Sequence, residues 1–553
     1  MKTPIYDFVK RYKDLRPARF HMPGHKGRGP LGCEELDLTE IPGADSLYEA
    51  AGIIAESELN ASALFGCPTF YSTEGSSQCI RAMLLLAKQI CHSERSEESV
   101  SPAAPRAASL PETATEDGGY GFLAPLGMTG GKGFRVLAAR NVHRAFLTAA
   151  ALLDLDVVWL PADPTGDGNG SYLSAHPTPE LLDAALAETG ASAVYLTCPD
   201  YLGVLPELAP LAAVCHARGA LLLVDNAHGA YLRFLSPSRH PMDLGADLCC
   251  DSAHKTLPVL TGGAYLHVSR RLFDAAFRRD GTLPSAPSSA AERRTSTACP
   301  YSMVRDALAL FGSTSPSYLI LQSLDLANPC LEALPEKLAG FLPRVEALKA
   351  RLRAAGWSLT GNEPLKLTLF LGAAAGDGGR GSFAALRMTE RAPGLALAAA
   401  LEKAGIFCEF ADPEHVVFML TPENSDEELE RLTQALTDTG SAVSVSAASD
   451  MASPCRMLVD AGCVSKADAR AMKSTTIPRI VVPLKRKSLR SIREAMLAPA
   501  VTVPAAESLG RVLARPGVSC PPAVPILMPG EEIDEAALAA FARYGIETVQ
   551  VLP

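Results

Sequence analysis

Long apolar runs are missing from this 553-residue chain. None approaches the roughly 18 residues that crossing a bilayer requires, and the polar first residues lack the form of a signal peptide. Its 14 cysteines include no CxxC pair and no framework spacing, which argues against zinc ribbons and disulfide scaffolds. Cys198, Cys249 and Cys250 instead sit in apolar stretches and read as small buried hydrophobes of a reducing compartment. Positive charge is also short: 51 Lys and Arg against 61 Asp and Glu give a formal charge of −10. Nucleic acid and anionic membranes are therefore poor partners, and the expectation is a cytoplasmic protein. With 48% hydrophobic and 20% charged residues, the composition is that of a soluble globular protein with room for two to four domains.

Ile5, Phe8, Val9 and Tyr12 recur at helical spacing and predict a short amphipathic helix at the start. Arg16 to Gly52 is irregular, punctuated by proline and glycine. From about Ala55 to Leu326, strands alternate with helices: Thr69–Tyr71, Phe134–Ala138, Val157–Leu160, Ala193–Cys198, Ala220–Val224, Asp247–Cys250 and Ala264–Val268. That alternation predicts an α/β domain with a mainly parallel seven-stranded sheet and helices on both faces. The expected organisation is an N-terminal segment (1–54), this major domain (55–330), a smaller α/β domain (331–437), a linker (438–453) and a C-terminal α/β module (454–553).

Two stretches rich in small and polar residues, 91–132 and 372–393, interrupt the order. They share a repeat, Leu123-Ala124-Pro-Leu126-Gly-Met128-Thr129 against Phe383-Ala384-Ala-Leu386-Arg-Met388-Thr389. With His92 to Ser99, this resembles translated mobile DNA inserted into an existing frame; a binding loop is the alternative. Such composition buries too little apolar surface to order itself. Asp163 to Gly170 faintly resembles a calcium loop, but a register starting at Asp163 puts Ser174 where the bidentate glutamate belongs. It predicts a turn, and no metal site is expected.

Four polar elements close strands. Asp251-Ser252-Ala253-His254-Lys255-Thr256-Leu257-Pro258 follows an apolar strand and leaves Lys255 at its end, beside a hydroxyl and an imidazole. Burial there favours the uncharged amine, the nucleophilic form of lysine, although a lysine after a strand is also a common surface residue. Ala220-Leu-Leu-Leu-Val-Asp225 delivers a carboxylate to the carboxyl end of a buried strand, where open α/β sheets bind ligands; a helix N-cap is the other reading of Asp225. Thr69 to Gln78 reads as strand, Gly75-Ser76-Ser77 turn and helix start. It offers a phosphate free N–H groups, hydroxyls and a helix dipole, or is a plain turn. Val136 to Arg144 ends a strand with His143, free to stack on a flat ring or to be an ordinary loop residue. A lysine for a Schiff base, a carboxylate for a pyridine nitrogen and a phosphate turn together describe a site for pyridoxal 5'-phosphate (PLP).

In this order the elements resemble the major domain of the Orn/Lys/Arg decarboxylase family, PLP enzymes of the aspartate-aminotransferase fold (fold type I), in a short form without an N-terminal receiver-like domain. Phe20 to Gly27, Ile41 to Leu47 with Glu56 and Phe65-Gly66, Phe311 to Tyr318, and Pro521 to Glu531 extend the resemblance over nearly the whole chain. It implies that Lys255 binds PLP covalently, that Asp225 pairs with the pyridinium nitrogen, and that Ala227 and His143 pack on opposite ring faces. Gly75, Ser76, Ser77, Ser252 and His254 then hold the phosphate, joined by Thr314 or Ser315 of a neighbouring subunit, and His228 completes the cofactor set. Lys255, His143 and Asp225 form the implied catalytic group. Glu531 meets the distal cation of the substrate, or is an acid at a helix N-terminus.

The implied reaction is decarboxylation of a basic L-amino acid (lysine, arginine or ornithine) to its amine and CO₂, in a homodimer or higher homo-oligomer with shared sites. Amino transfer or elimination on the same scaffold, and a PLP-binding homologue with little activity, are the alternatives. No arginine suited to a substrate α-carboxylate stands out between Leu365 and Thr421 outside the interruption. Three departures from the family pattern bear on substrate and rate: Asn226 for glutamate, Arg144 for lysine, and Gly262 for a polar residue. Deleting residues 93–130 with a short joining loop is expected to preserve PLP binding and stability, read by visible absorbance and thermal melting. Loss of soluble expression would show that the segment packs against the rest.

Overall fold

A computed structural model of the chain describes residues 1–98, 134–160, 171–278, 300–372, 392–446, 488–517 and 522–553. The interruptions expected at 91–132 and 372–393 lie outside the described residues from 99 onward and over 373–391. So do the turn at 163–170, the linker from 447 to 453 and the opening of the C-terminal module, 454–487.

The opening helix forms over Pro4–Asp14, burying Ile5 and Val9. Seven strands then build the large sheet: β1 (Thr69–Ser72), β2 (Arg135–Ala138), β3 (Asp156–Trp159), β4 (Ala193–Thr197), β5 (Leu221–Asp225), β6 (Leu248–Asp251) and β7 (Ala264–Val268), in the order β1-β7-β6-β5-β4-β2-β3. Strands β3, β2, β4, β5 and β6 are mutually parallel, while β7 is antiparallel to both of its neighbours. The reversal has a local cause. Only a single-turn helix, Ala253–Thr256, and a turn separate β6 from β7, so there is no long helix to carry the chain back for a parallel crossover.

Successive side chains of a strand leave on opposite faces. In β4 and β5, Val194, Leu196, Leu222 and Val224 enter one core, while Ala193, Tyr195, Leu221 and Leu223 enter another. Both faces are covered, which is why these strands read as unbroken apolar runs. The second core also receives Ile80, Met83 and Ala87 from the helix Ser76–Glu98. The carboxyl ends of β1, β2, β4, β5 and β6 consequently gather along one edge of the sheet.

A smaller antiparallel sheet, ordered β10-β11-β9-β8, comprises β8 (Leu359–Thr360), β9 (Lys366–Phe370), β10 (Phe410–Ala411) and β11 (His415–Met419). Leu367 and Leu369 of β9 join the first core of the large sheet. A third sheet, β12-β14-β13, is formed by β12 (Val501–Pro504), β13 (Leu513–Arg515) and β14 (Thr548–Val551) around Ile526, Ile533 and Phe541. Ile492 and Met528 tie it into the second core. No helix among the described residues is long and apolar enough to cross a membrane.

Asp251, the last residue of β6, is fully buried. Its Oδ2 accepts from Nε2 of His240 at 3.1 Å and of His267 at 3.0 Å, and its Oδ1 accepts from the Asn226 amide at 2.7 Å. The Thr69 hydroxyl spends its single proton on the Cys67 carbonyl (3.0 Å) and so accepts from Nδ1 of His267 (2.9 Å). With both ring nitrogens donating, His267 is an imidazolium. Burial pushes the Asp251 carboxyl up, but His240 and His267 outweigh it and hold the group well below the usual carboxylate range. Burial likewise pulls His267 down, and Asp251 outweighs it, leaving the imidazole raised. The departure at Asn226 fits here: its amide gives Asp251 a donor that an ionised glutamate lacks.

The depressed carboxyl stabilises the fold above about pH 4 and loses that contribution as pH falls. The raised imidazole stabilises below about pH 6.5 and loses its contribution as pH rises through its folded value. The pair therefore acts fully between these limits. Asp251→Asn is expected to cost about 3–5 kcal/mol and to flatten the pH dependence, measured by chemical denaturation from acid to mildly alkaline pH.

Candidate active site

The carboxyl edge of the large sheet collects the polar residues singled out in the sequence. Asp225, at the end of β5, is buried; its Oδ2 accepts from the Tyr195 hydroxyl and its Oδ1 from the Ala227 N–H, both at 3.1 Å. Burial pushes this carboxyl up. No α-helix begins here, since the chain passes through Ala227 and His228 into a short 3₁₀ turn at Ala230–Phe234. A buried carboxylate with neutral donors on both oxygens suits a cationic N–H such as that of a protonated pyridine.

Lys255 lies in the single-turn helix after β6, its Nζ 2.9 Å from Nε2 of His228. His143 caps the helix Arg144–Leu153, with its Nδ1 accepting from the Ala145 N–H at 3.1 Å. Burial lowers the His143 imidazole to about 4. The ring is neutral, with its proton on Nε2 and a flat face available for stacking. His254 donates from Nδ1 to the Gly263 carbonyl at 3.0 Å, and burial lowers it as well.

The phosphate turn has the form its sequence suggested. Ser252 donates its hydroxyl to that of Ser76 at 2.7 Å, joining the end of β6 to the first turn of the helix Ser76–Glu98. Gly75 has φ +73°, and a Cβ there would meet nothing within 4 Å. Open space thus lies against the backbone of the turn, beside the partly exposed Ser77, and an anion fits it. Gly75 N–H donates to the Gly262 carbonyl at 2.8 Å. Gly262 has φ +100°, and a Cβ on it would stand 2.9 Å from the Thr73 carbonyl oxygen. The departure at Gly262 is therefore what lets the two loops close. Arg144 is exposed, and its N–H donates to the carbonyl of Ala523 at 2.8 Å.

Two expectations fare differently. Thr314 and Ser315 are exposed on a loop that the Ser313 N–H ties to the Glu74 carboxylate at 2.5 Å, so the loop borders the turn while both side chains face outward. Glu531 is not free to meet a substrate cation. It is 1% exposed, and its two oxygens take both Arg140 guanidinium nitrogens at 2.7 and 2.8 Å, with the Met528 N–H adding a third bond at 3.0 Å. A charge pair of this geometry docks the C-terminal module onto the end of β2.

Sequence reasoning missed Lys366, which opens β9 yet reaches His228, with Nζ 3.3 Å from Nδ1. A lysine heading a strand whose five residues are all buried is the signal that was available. It also missed Glu363, whose carboxylate accepts from the Tyr231 hydroxyl and lies 3.8 Å from Lys366.

Residues 127–368 match the family model for the Orn/Lys/Arg decarboxylase major domain. The match takes in His143, Asp225, Lys255 and Lys366 and begins beyond the Gly75 turn. Among curated proteins, the chain is similar to the uncharacterized protein YaaO of Bacillus subtilis strain 168, 25% identical over 98% of this chain and 94% of that one. It is similar also to an arginine decarboxylase of the same organism, 24% identical over 97% and 92%. Among solved structures, the lysine decarboxylase of Francisella novicida superposes with TM-score 0.70 at 15% identity, covering 100% of this chain and 81% of that one. The constitutive lysine decarboxylase of E. coli gives 0.68 at 16%, covering 100% and 82%. At these identities the likeness to the solved structures is one of fold.

Glu531→Gln is expected to lower thermal stability by loosening the C-terminal module, because it weakens a buried bidentate pair. KM for any basic amino acid should stay within about twofold. A KM rise of ten- to hundredfold, as a lost charge-assisted bond of about 1.5–3 kcal/mol would give, would return Glu531 to substrate recognition.

Proposed function

The chain is a member of the Orn/Lys/Arg decarboxylase family, and from that premise we propose that it decarboxylates a basic L-amino acid, arginine, lysine or ornithine, to the amine and CO₂. It is a PLP-dependent decarboxylase. The observation that carries the reading is the meeting, on one sheet edge, of Lys255 after β6, buried Asp225 at the end of β5 and the linked hydroxyls of Ser76 and Ser252. When bound, PLP supplies an electron sink for the pair left behind as the bond from Cα to the carboxylate breaks.

The chain's own residues supply the rest. Lys255 attaches the cofactor through Nζ, and Asp225 holds the proton on the pyridine nitrogen so that the ring can accept electrons. The open space at the Gly75 turn, with the hydroxyls of Ser76, Ser77 and Ser252 and the ring of His254, would receive the phosphate. Thr314 or Ser315 reaches the same phosphate from a neighbouring subunit of a homo-oligomer. Neutral His143 would pack on one ring face and Ala227 on the other, orienting the bound cofactor for bond cleavage. Nζ of Lys255 or a nearby imidazole returns a proton to Cα, and the amine leaves.

The test is CO₂ release from arginine, lysine and ornithine by purified protein, together with borohydride fixation of the cofactor. Wild-type protein should release CO₂ from at least one of the three and carry the label on Lys255. Lys255→Ala should lose both. Asp225→Asn should keep the cofactor and lose several orders of magnitude in rate, because an amide cannot hold the pyridinium proton. A colourless protein that takes up no PLP, or label on another lysine, overturns the assignment.

A further inference from the structure

Lys366 belongs to the small sheet, yet its ammonium reaches the edge of the large one. The residue is 4% exposed, with Nζ 3.2 Å from the Asp200 carbonyl, 3.4 Å from that of Tyr201 and 3.3 Å from Nδ1 of His228. Burial lowers the Lys366 ammonium, and the Glu363 carboxylate, 3.8 Å away, opposes that and favours the charge. Carbonyl oxygens only accept, and an ammonium has three protons to give. Two go to the carbonyls and the third to Nδ1. The single proton of a neutral His228 then sits on Nε2, which faces Nζ of Lys255 at 2.9 Å. An N–H that points at a lysine nitrogen needs a lone pair there, so Lys255 is the free amine. Burial above all keeps the His228 imidazole from taking a second proton, and the ammonium of Lys366 adds to it.

We propose that Lys366 is a positioning residue: it fixes the tautomer of His228 and through it holds Lys255 as the free base from which the cofactor is bound. This rests on the reading of Lys255 as the cofactor lysine. Attachment joins Nζ to the aldehyde carbon and releases the oxygen as water, and only a nitrogen with a lone pair begins it. Without Lys366, Nδ1 can keep the proton, Nε2 turns acceptor, and the same contact stabilises a Lys255 ammonium instead. The other ionisable groups acting on the pair are His143, His254 and Asp225 around Lys255 and His228, and Asp200, Glu363 and Glu409 around Lys366. All are shared by wild type and variant, so the comparison isolates Lys366.

The experiment measures how fast formaldehyde and cyanoborohydride methylate Lys255 as pH is varied, read by peptide mass spectrometry. It uses the full-length chain freed of cofactor by hydroxylamine dialysis. Lys366→Met should move the midpoint of Lys255 reactivity up by at least about one pH unit, a tenfold loss of free amine at fixed pH. Lys366→Arg, which keeps a donor and a charge, should stay closer to wild type. His228→Phe should shift the midpoint as Lys366→Met does, and the double variant no further, since the two act in one chain. Thermal melting controls for folding. An unmoved midpoint in folded Lys366→Met overturns the proposal, and so does an unmoved midpoint in His228→Phe should the lysine variant fail to fold. Absence of CO₂ release by wild type would instead overturn the decarboxylase reading and leave the methylation midpoints to decide the role of Lys366.

Discussion

Burial of ionisable groups is the constraint on which the active edge depends. Asp200, Asp225, Asp251, His228 and Lys366 are all at most 5% exposed, and each must be paired, hydrogen-bonded or neutral to stand there. The solutions differ by position. Asp251 takes an imidazolium, Asp225 takes only neutral donors, and His228 stays uncharged between two amines. Asp225 is thereby left suited to a cation brought from outside. The buried pair of Asp251 and His267, by contrast, is turned inward to stabilise the sheet.

The reversal of β7 gives that arrangement its geometry. A short link between β6 and β7 pins the single turn bearing Lys255 at both ends, and the Gly262 carbonyl on the same link receives the N–H of Gly75. The lysine and the phosphate turn are therefore held by one piece of backbone. A longer crossover would have separated them.

Much of this was legible in the sequence because it is local. The seven strands were readable to within a residue or so, since a strand buried on both faces declares itself by composition. Lys255, Asp225 and Ser76 stood at strand ends and helix starts. Strand direction was not legible, because side-chain alternation is the same whichever way β7 runs. Glu531 was misread for a different reason: the Arg140 that occupies it lies 391 residues away, and no local pattern announces a partner at that distance. Lys366 was overlooked because its acceptors come from two other segments, 138 and 166 residues away. The departures at Asn226 and Gly262, read as bearing on substrate and rate, each answer a neighbour, Asp251 in one case and the Thr73 carbonyl in the other.

The distance between Arg140 and Glu531 also bears on how the molecule is made. Strand β2 is translated well before its carboxylate partner, which follows Arg140 by 391 residues, and before the Ala523 carbonyl that receives Arg144 and the Met528 side chain in the second core. Long-range pairings of this kind form late. A chain still on the ribosome can complete the large sheet with the Arg140 guanidinium and the start of the neighbouring helix uncovered. The rim beside His143 is then closed by a segment translated much later, so a chain cut before Ala523 would leave the centre assembled and its border open to water.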